Sequence, residues 1–365
     1  MTAETTMDRP YQCFHCLKRF KRSNDLVNHS SSKGHNPEQG IQATTLQHDP
    51  TGSNFYKGHQ YSQDLSADRL AIHSLLLELC HPHSRLESEG YRLQTEDGLG
   101  NGPKRQFFLA PKSQTARLAV VLDCEMAATK KSGSELISLC ALDFFTGDVL
   151  VNSLVKPPLP IVQWKSNIHG VTPTVMAVAH ANGQTLNGPQ GARAELWKHV
   201  GEDTVIIGHA LGHDLDALRI AHQRVVDSSI VTAEAVFGKG EKIVRRWGLA
   251  VLCKDLFGLA IRQGATSGSG VHDDLEDALA TRELILWCLR QPVGLAFWAN
   301  QARSISPPRQ RRSRGRFRGR ARKQRTQSPP GDYDDDYDDG DDEVVRFRDV
   351  VDWDMWPKSS PDWSD

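Results

Sequence analysis

The sequence predicts an α/β domain: a mixed sheet flanked by helices, preceded by a small cysteine- and histidine-bearing module and followed by a charged tail. Three observations carry this. Between about residues 117 and 291, short apolar runs rich in β-branched residues come first, two of them at hairpin distance, and helical patterns then alternate with further strand-like runs. A meander followed by such alternation gives a sheet of mixed direction covered by helices. Residues 10–36 hold Cys13, Cys16, His29 and His35 at tight spacing. The charge is sorted along the chain: 44 Lys+Arg against 45 Asp+Glu gives a net charge of -1, yet Arg303 to Arg325 contains no acid and Asp332 to Glu343 is nearly pure acid. Net neutrality therefore says nothing about partners, whereas the blocks do.

The N-terminal module, residues 10–36, reads as a metal site. Cys13 and Cys16 are two residues apart, twelve residues separate Cys16 from His29, and five more separate His29 from His35. Tetrahedral zinc takes four such N and S ligands. Phe20 and Leu26 supply the two apolar positions of a unit too small to fold on its own core. The pattern resembles a C2H2 zinc finger, which implies a ββα unit and structural zinc. Its long histidine gap is similar to that of fingers that bind double-stranded RNA. One finger reads about three base pairs, which argues against sequence-specific DNA recognition by this module alone.

Residues 37–116 read as a linker, polar and Gly/Pro-punctuated up to residue 63, with one amphipathic helix from Ser66 on the stripe Ile72, Leu75, Leu76 and Leu79. Within 117–291, LAVVLDCEM is a buried strand. ELISLCALDFF and VLVNSLVKP follow as a hairpin with Thr146-Gly147-Asp148 as its turn. The strand TVIIGH, a helix through LDALRIAHQ, and a last helix over 274–291 complete the unit. Residues 292–365 cannot bury apolar area over the basic and acidic blocks and are expected to be disordered. No apolar run approaches the ~18 residues of a membrane span, and Met1 to Pro10 has no signal-peptide core. Seven scattered cysteines fit a reducing compartment rather than a disulfide framework.

The chemistry concentrates in carboxylates. Asp123 and Glu125 stand two apart on a strand, so both point to one face while Cys124 points to the other. Two acids on a buried strand repel each other, a cost that a bound divalent cation relieves, and oxygen ligands suit Mg²⁺ or Mn²⁺. Asp214 follows a strand end and sits in a first helical turn. His272 precedes the last helix, with Asp277 five residues on. Asp216, Asp273, Asp274 and Glu276 read as solvated helix acids, and His209 as a packed or capping histidine.

Together these segments resemble the DEDDh family of 3'-5' exonucleases. The first motif matches at Asp123 and Glu125, the second at Asp214 within His-Ala-Leu-Gly-His-Asp-Leu, and the third at His272 and Asp277. Asn167-Ile168-His169-Gly170-Val171-Thr172 is similar to the segment between the first two motifs, with Asn167 and His169 where Ser or Thr is usual. His213 replaces an Asn usual in the most similar branch, that of RNA exonucleases of ribosomal RNA processing and interferon-stimulated exonucleases. The resemblance implies a ribonuclease H-like fold over residues 117–290 and two Mg²⁺ or Mn²⁺ ions held by Asp123, Glu125, Asp214 and Asp277. It also implies His272 as general base and release of 5'-mononucleotides from RNA. DNA is the alternative substrate, and a binding adaptor with an inactive nuclease fold is the alternative class. The arginine block, with Arg314-Gly315 and Arg318-Gly319, suits RNA phosphates and nuclear import, so the expected place is the nucleus or nucleolus.

Overall fold

The computed structural model describes residues 11–12, 19–20, 25, 29, 47–48, 54–62, 65–94, 106–130, 133–263 and 272–305. Tyr11–Gln12 pairs antiparallel with Arg19–Phe20, and Asp25 and His29 are helical. Cys13, Cys16 and His35, hence the zinc set, lie outside the described residues, as does the tail from 306 on.

The elements that position the site begin with a hairpin, β1 (Asn54–Tyr56) and β2 (His59–Tyr61), and two helices, α1 (Arg69–Leu79) and α2 (His83–Ser88). The central sheet follows: β3 (Ala119–Thr129), β4 (Gly133–Asp143), β5 (Val149–Lys156) and β6 (Ile161–Gln163). Next come α3 (Pro173–Ala181), β7 (Thr185–Asn187), α4 (Gly188–Leu196), β8 (Val205–Gly208), α5 (Gly212–Leu218) and β9 (Val225–Asp227). The chain closes with α6 (Ser228–Phe237), α7 (Leu249–Phe257), α8 (Asp274–Arg290) and α9 (Pro292–Ile305).

The order is β7-β5-β4-β3-β8-β9, with β6 added to β3. Pairs β3–β4 and β4–β5 are antiparallel, while β8 lies parallel to both β3 and β9. This is the mixed sheet that the meander and the later alternation predict. β3 explains its own sequence: Ala119, Val120, Val121 and Leu122 are all buried, because strands flank it on both sides and helices pack on its faces. Each fully buried aliphatic of this kind contributes about 1.5–3 kcal/mol.

The core is larger than the sequence division suggests. Tyr56, Tyr61, Leu65, Leu76, Leu86, Tyr91 and Leu93 belong to the same buried cluster as the sheet. The stretch expected to be a linker carries strands and two helices, and polar bonds seat it. Asn54, fully buried, donates to the Thr146 carbonyl (3.3 Å), and Ser62 binds the Glu283 carboxylate through its amide (2.9 Å) and hydroxyl (2.6 Å). Gly147 is required there, since a Cβ at that position would stand 2.2 Å from Asn54 Nδ2. Arg282, with no exposed surface, donates to the carbonyls of Phe144 (2.7 Å), Phe145 (3.2 Å) and Ser62 (3.0 Å), joining hairpin turn, last long helix and upstream segment.

Two further expectations change. The helix through LDALRIAHQ ends at Leu218, because Arg219 turns left-handed (φ 56°) and Ile220–Ala221 pairs as a strand with Phe108–Leu109. Pro292 opens α9 instead of a tail. Trp298 and Ala302, one turn apart, bury one face of α9, and Trp298 meets Trp247 edge-on at 5.2 Å. No helix among the described residues is long and apolar enough to cross a membrane.

Candidate active site

Carboxylates from β3 and the start of α8, with an imidazole just ahead of that helix, converge beside the middle of β3. Asp123 and Glu125 lie in the middle of β3, opposite Cys140 and Ser138 of β4. The register breaks directly after Glu125, where Met126 pairs with Leu136 and Ile137 is skipped. Such a bulge re-aims the side chains beside it. Asp277 lies in the first turn of α8, whose N-cap Asp273 accepts from the amides of Leu275 (3.1 Å) and Glu276 (3.0 Å). Aligned helix dipoles favour acids there. His272 stands just before that cap, its amide bonded to the Ile168 carbonyl at 2.6 Å.

Ligand atoms of Glu125, His272 and Asp277 all lie within 4.8 Å of one another, the spacing of a group able to hold a metal ion. His272 Nδ1 is 3.6 Å from Asp277 Oδ2 and 3.9 Å from Glu125 Oε1. Asp123 and Asp214 stand close by without joining that triad. Asp214 lies beside Cys124, so Cys124, expected to face away from the carboxylates, neighbours one of them.

The electrostatics show a buried set of acids that repel one another. Burial, then the charges of Asp277, Asp214 and Glu125, hold the Asp123 carboxyl well above the usual carboxylate range. Burial and the neighbouring Asp277 and Asp274 do the same for Glu125. Burial pushes Asp214 up to about 8, with the adjacent Cys124 opposing. His272 is lowered to about 4 by burial and by the Arg262 charge, so it is neutral at pH 7. Divalent cations fit this donor set: hard oxygens, mutually repelling and buried, are what Mg²⁺ or Mn²⁺ would bind.

Several acids that read as solvated are built in. Asp274 is half-buried, bonded to the Ser138 hydroxyl, and raised to about 6 by burial. Glu276 is 2% exposed and accepts from the Arg262 amide (3.2 Å) and from Lys57 (3.3 Å). Asp273 also binds Tyr56 (3.1 Å) and Lys57 (2.8 Å) of the upstream hairpin. Asp216 is exposed, as expected. His209 is packed as expected: its Nδ1 lies 2.8 Å from the Ser228 hydroxyl, and burial lowers it to about 4.

Asp227 escaped sequence reading. It ends β9 and caps α6, and its carboxylate accepts from the amides of Ala210 (2.9 Å), Leu211 (3.1 Å) and Ser229 (2.8 Å). Ala210 is left-handed (φ 55°), so these bonds hold the turn that leads from β8 into α5 and presents Asp214. Burial alone would raise the Asp227 carboxyl, but Arg246 and the donated bonds hold it below the usual range. An Asp after a strand and before Ser-Ser was a legible cap signal; its grip on Ala210 was not. Arg262, bonded to Asp277, carried no signal at all.

No protein-family model matches the chain. Several curated relatives are RNA-degrading enzymes by name. RNA exonuclease 3 of Emericella nidulans is 31% identical over 183 residues, 46% of this chain and 28% of that protein. A Caenorhabditis elegans protein, putative RNA exonuclease pqe-1, is 32% identical over 186 residues, 51% of this chain and 10% of its own length. Small RNA degrading nuclease 2 of Arabidopsis thaliana is 27% identical over 168 residues, 46% and 34% of the two chains. The chain thus spans about a third or less of these relatives. Among solved structures, the Neurospora crassa Pan2 catalytic unit (protease and nuclease domain) overlays with a TM-score of 0.42 at 18% identity, covering 64% of this chain and 35% of that one.

Proposed function

We propose that the chain is a metal-dependent 3'-5' exonuclease that hydrolyses RNA from its 3' end and releases 5'-mononucleotides. The observation that carries the reading is the convergence of Glu125, His272 and Asp277 within 4.8 Å, beside Asp123 and Asp214, in a chain whose relatives are named RNA exonucleases. Asp123, Glu125, Asp214 and Asp277 would hold Mg²⁺ or Mn²⁺. Bound there, divalent cations acidify water and relieve charge on the phosphorane-like transition state and the leaving 3'-oxygen.

The protein's own groups do the rest. His272, neutral at pH 7 and 30% exposed, can take the proton of the attacking water. Asp227 fixes the turn before Asp214, and Asp273 fixes the start of the helix that carries Asp277. A ribonuclease H-like fold suits the mixed sheet. All five catalytic positions are present, which disfavours an inactive adaptor.

The finer assignments extend from the sequence. Cys13, Cys16, His29 and His35 bind structural zinc in a finger that contacts structured RNA, and the antiparallel pairing of Tyr11–Gln12 with Arg19–Phe20 supports that reading. The arginine block adds affinity for RNA phosphates, the acidic block competes for those arginines, and the protein works on ribosomal RNA in the nucleus. The deciding experiment incubates purified protein with 5'-labelled single-stranded RNA and DNA in Mg²⁺, Mn²⁺ or EDTA. Metal-dependent shortening of RNA from the 3' end with mononucleotide products is expected. Shortening that persists in EDTA, or a labelled mononucleotide released first, overturns the reading.

A further inference from the structure

A cation already sits on the acids. Arg262 Nη2 lies 2.8 Å from Asp277 Oδ2, and its Nε lies 3.1 Å and 3.2 Å from the two carboxylate oxygens. The pair is out of water: the Asp277 side chain is 2% exposed and that of Arg262 17%. A guanidinium fork matches a carboxylate in two places at once and never gives up its proton. The contact therefore sets a permanent positive charge against the Asp277 carboxylate.

The placement of Arg262 is also built rather than incidental. Its backbone is left-handed (φ 60°), a conformation that non-glycine residues avoid. The amide is tied to Glu276 Oε2 at 3.2 Å, and the same oxygen is paired with Lys57 of the upstream hairpin. One turn of α8 thus holds Arg262 at both ends, backbone on Glu276 and side chain on Asp277. Asp277 is at the same time a member of the triad that can hold a metal.

We propose that Arg262 is a resident cation that occupies Asp277 until a divalent ion displaces it, so that metal loading is an exchange of one positive charge for another. The proposal rests on the metal-dependent reading of the site. It makes the metal-free protein a charge-compensated resting form, and it lowers metal affinity by the worth of the buried pair. A metal concentration threshold, set by Arg262, then separates the resting form from the loaded one.

The test is Mn²⁺ binding to the full-length chain at pH 7.5, read by the electron paramagnetic resonance of free Mn²⁺. Wild type, Arg262→Gln, Arg262→Lys and Asp123→Asn are compared. Removing a charged, doubly bonded competitor should tighten Mn²⁺ binding by on the order of 10- to 100-fold in Arg262→Gln. Arg262→Lys, which keeps the charge without the fork, should lie between the two and serves if the glutamine variant does not fold. Affinity equal to or weaker than wild type in a folded Arg262 variant overturns the exchange and makes Arg262 a permanent support for Asp277. If wild type and Asp123→Asn bind Mn²⁺ alike, the metal reading itself fails; if only Asp123→Asn loses the ion while the Arg262 variants match wild type, only the exchange fails.

Discussion

Tyr91 and Asp227, 136 positions apart, are joined by a 2.6 Å hydrogen bond from the phenol to the carboxylate. The same carboxylate secures Ala210 and Leu211. A residue from the segment ahead of the sheet is therefore one bond removed from the turn that presents Asp214. His81 adds a second link, accepting from the Asp227 amide at 3.0 Å. Burial and the adjacent Asp227 charge hold the Tyr91 phenol well above its ordinary value, so it donates at any physiological pH.

The upstream segment should be indispensable. Tyr91→Phe strips one bond from a buried charge and should cost about 1–3 kcal/mol. Leu76→Ala empties a fully buried site in α1 and should cost about 2–5 kcal/mol in urea unfolding. A fragment beginning at residue 117 should lack a cooperative transition; a sharp native-like melt from residues 117–305 would show that 54–94 is an accessory.

Asp123 and Asp277 should separate activity from stability. Asparagine at either position should abolish nucleotide release, and His272→Ala should slow it roughly 10²–10⁴-fold. Metal-free stability should move in opposite directions. Asp123→Asn relieves repulsion within a buried set and should raise the melting temperature by about 2–4 °C for each kcal/mol gained. Asp277→Asn strands the Arg262 charge and should lower it. Equal shifts in calorimetry would contradict this charge balance.

The acids also set a pH dependence. Asp214 is raised to about 8, so between the unfolded value of 3.8 and about 8 the folded protein holds a proton that the unfolded chain releases. In EDTA, stability gained this way is present at low pH and lost as pH rises through about 8. Histidines held low in the fold begin to oppose it only below their unfolded value of 6.5. Urea midpoints should therefore rise as pH is lowered from about 8.5 to 6.5. Mn²⁺ needs the deprotonated acids, so its stabilisation should grow over the same range as pH rises. A flat profile in EDTA would contradict the burial argument.

Zinc should report on the N-terminal module alone. Cys13→Ala or His29→Ala should lower bound zinc, measured by elemental analysis, and weaken binding to structured RNA. Hydrolysis of short single strands should persist, because the residues assigned to chemistry lie on β3, on α5 and at the start of α8. Loss of short-strand cleavage would place the finger inside the active site.

What was legible follows from distance along the chain. Asp123 and Glu125 are two apart on a strand and Asp214 opens a helix, so local geometry places them; grouping them with His272 and Asp277 is what the resemblance to the DEDDh family implies. The meander and its turn at Thr146-Gly147-Asp148 were local in the same way. Lys57 on Asp273 and Tyr56 on the same cap depend on residues more than two hundred positions away, and hydrophobic periodicity holds no trace of them. Asp274 and Glu276 read as solvent-facing because a helix start rich in acids normally is. Their partners Ser138 and Arg262 arrive from β4 and from the segment after α7, and only the folded chain brings them there.

The seating of Asn54 against Gly147, and of Ser62 against Glu283, has a consequence for biosynthesis. Ribosomes deliver the hairpin at residues 54–61 first, and its partners on α8 emerge more than two hundred residues later. Leu76 and Leu86, which end with no exposed surface, belong to a buried cluster that the later sheet and helices complete, so they lack that cover until those elements emerge. Long-range closure of this kind slows folding and leaves sticky intermediates waiting. The nascent chain should therefore engage a holding chaperone through α1 and α2 and release it only once Glu283 has cleared the exit tunnel.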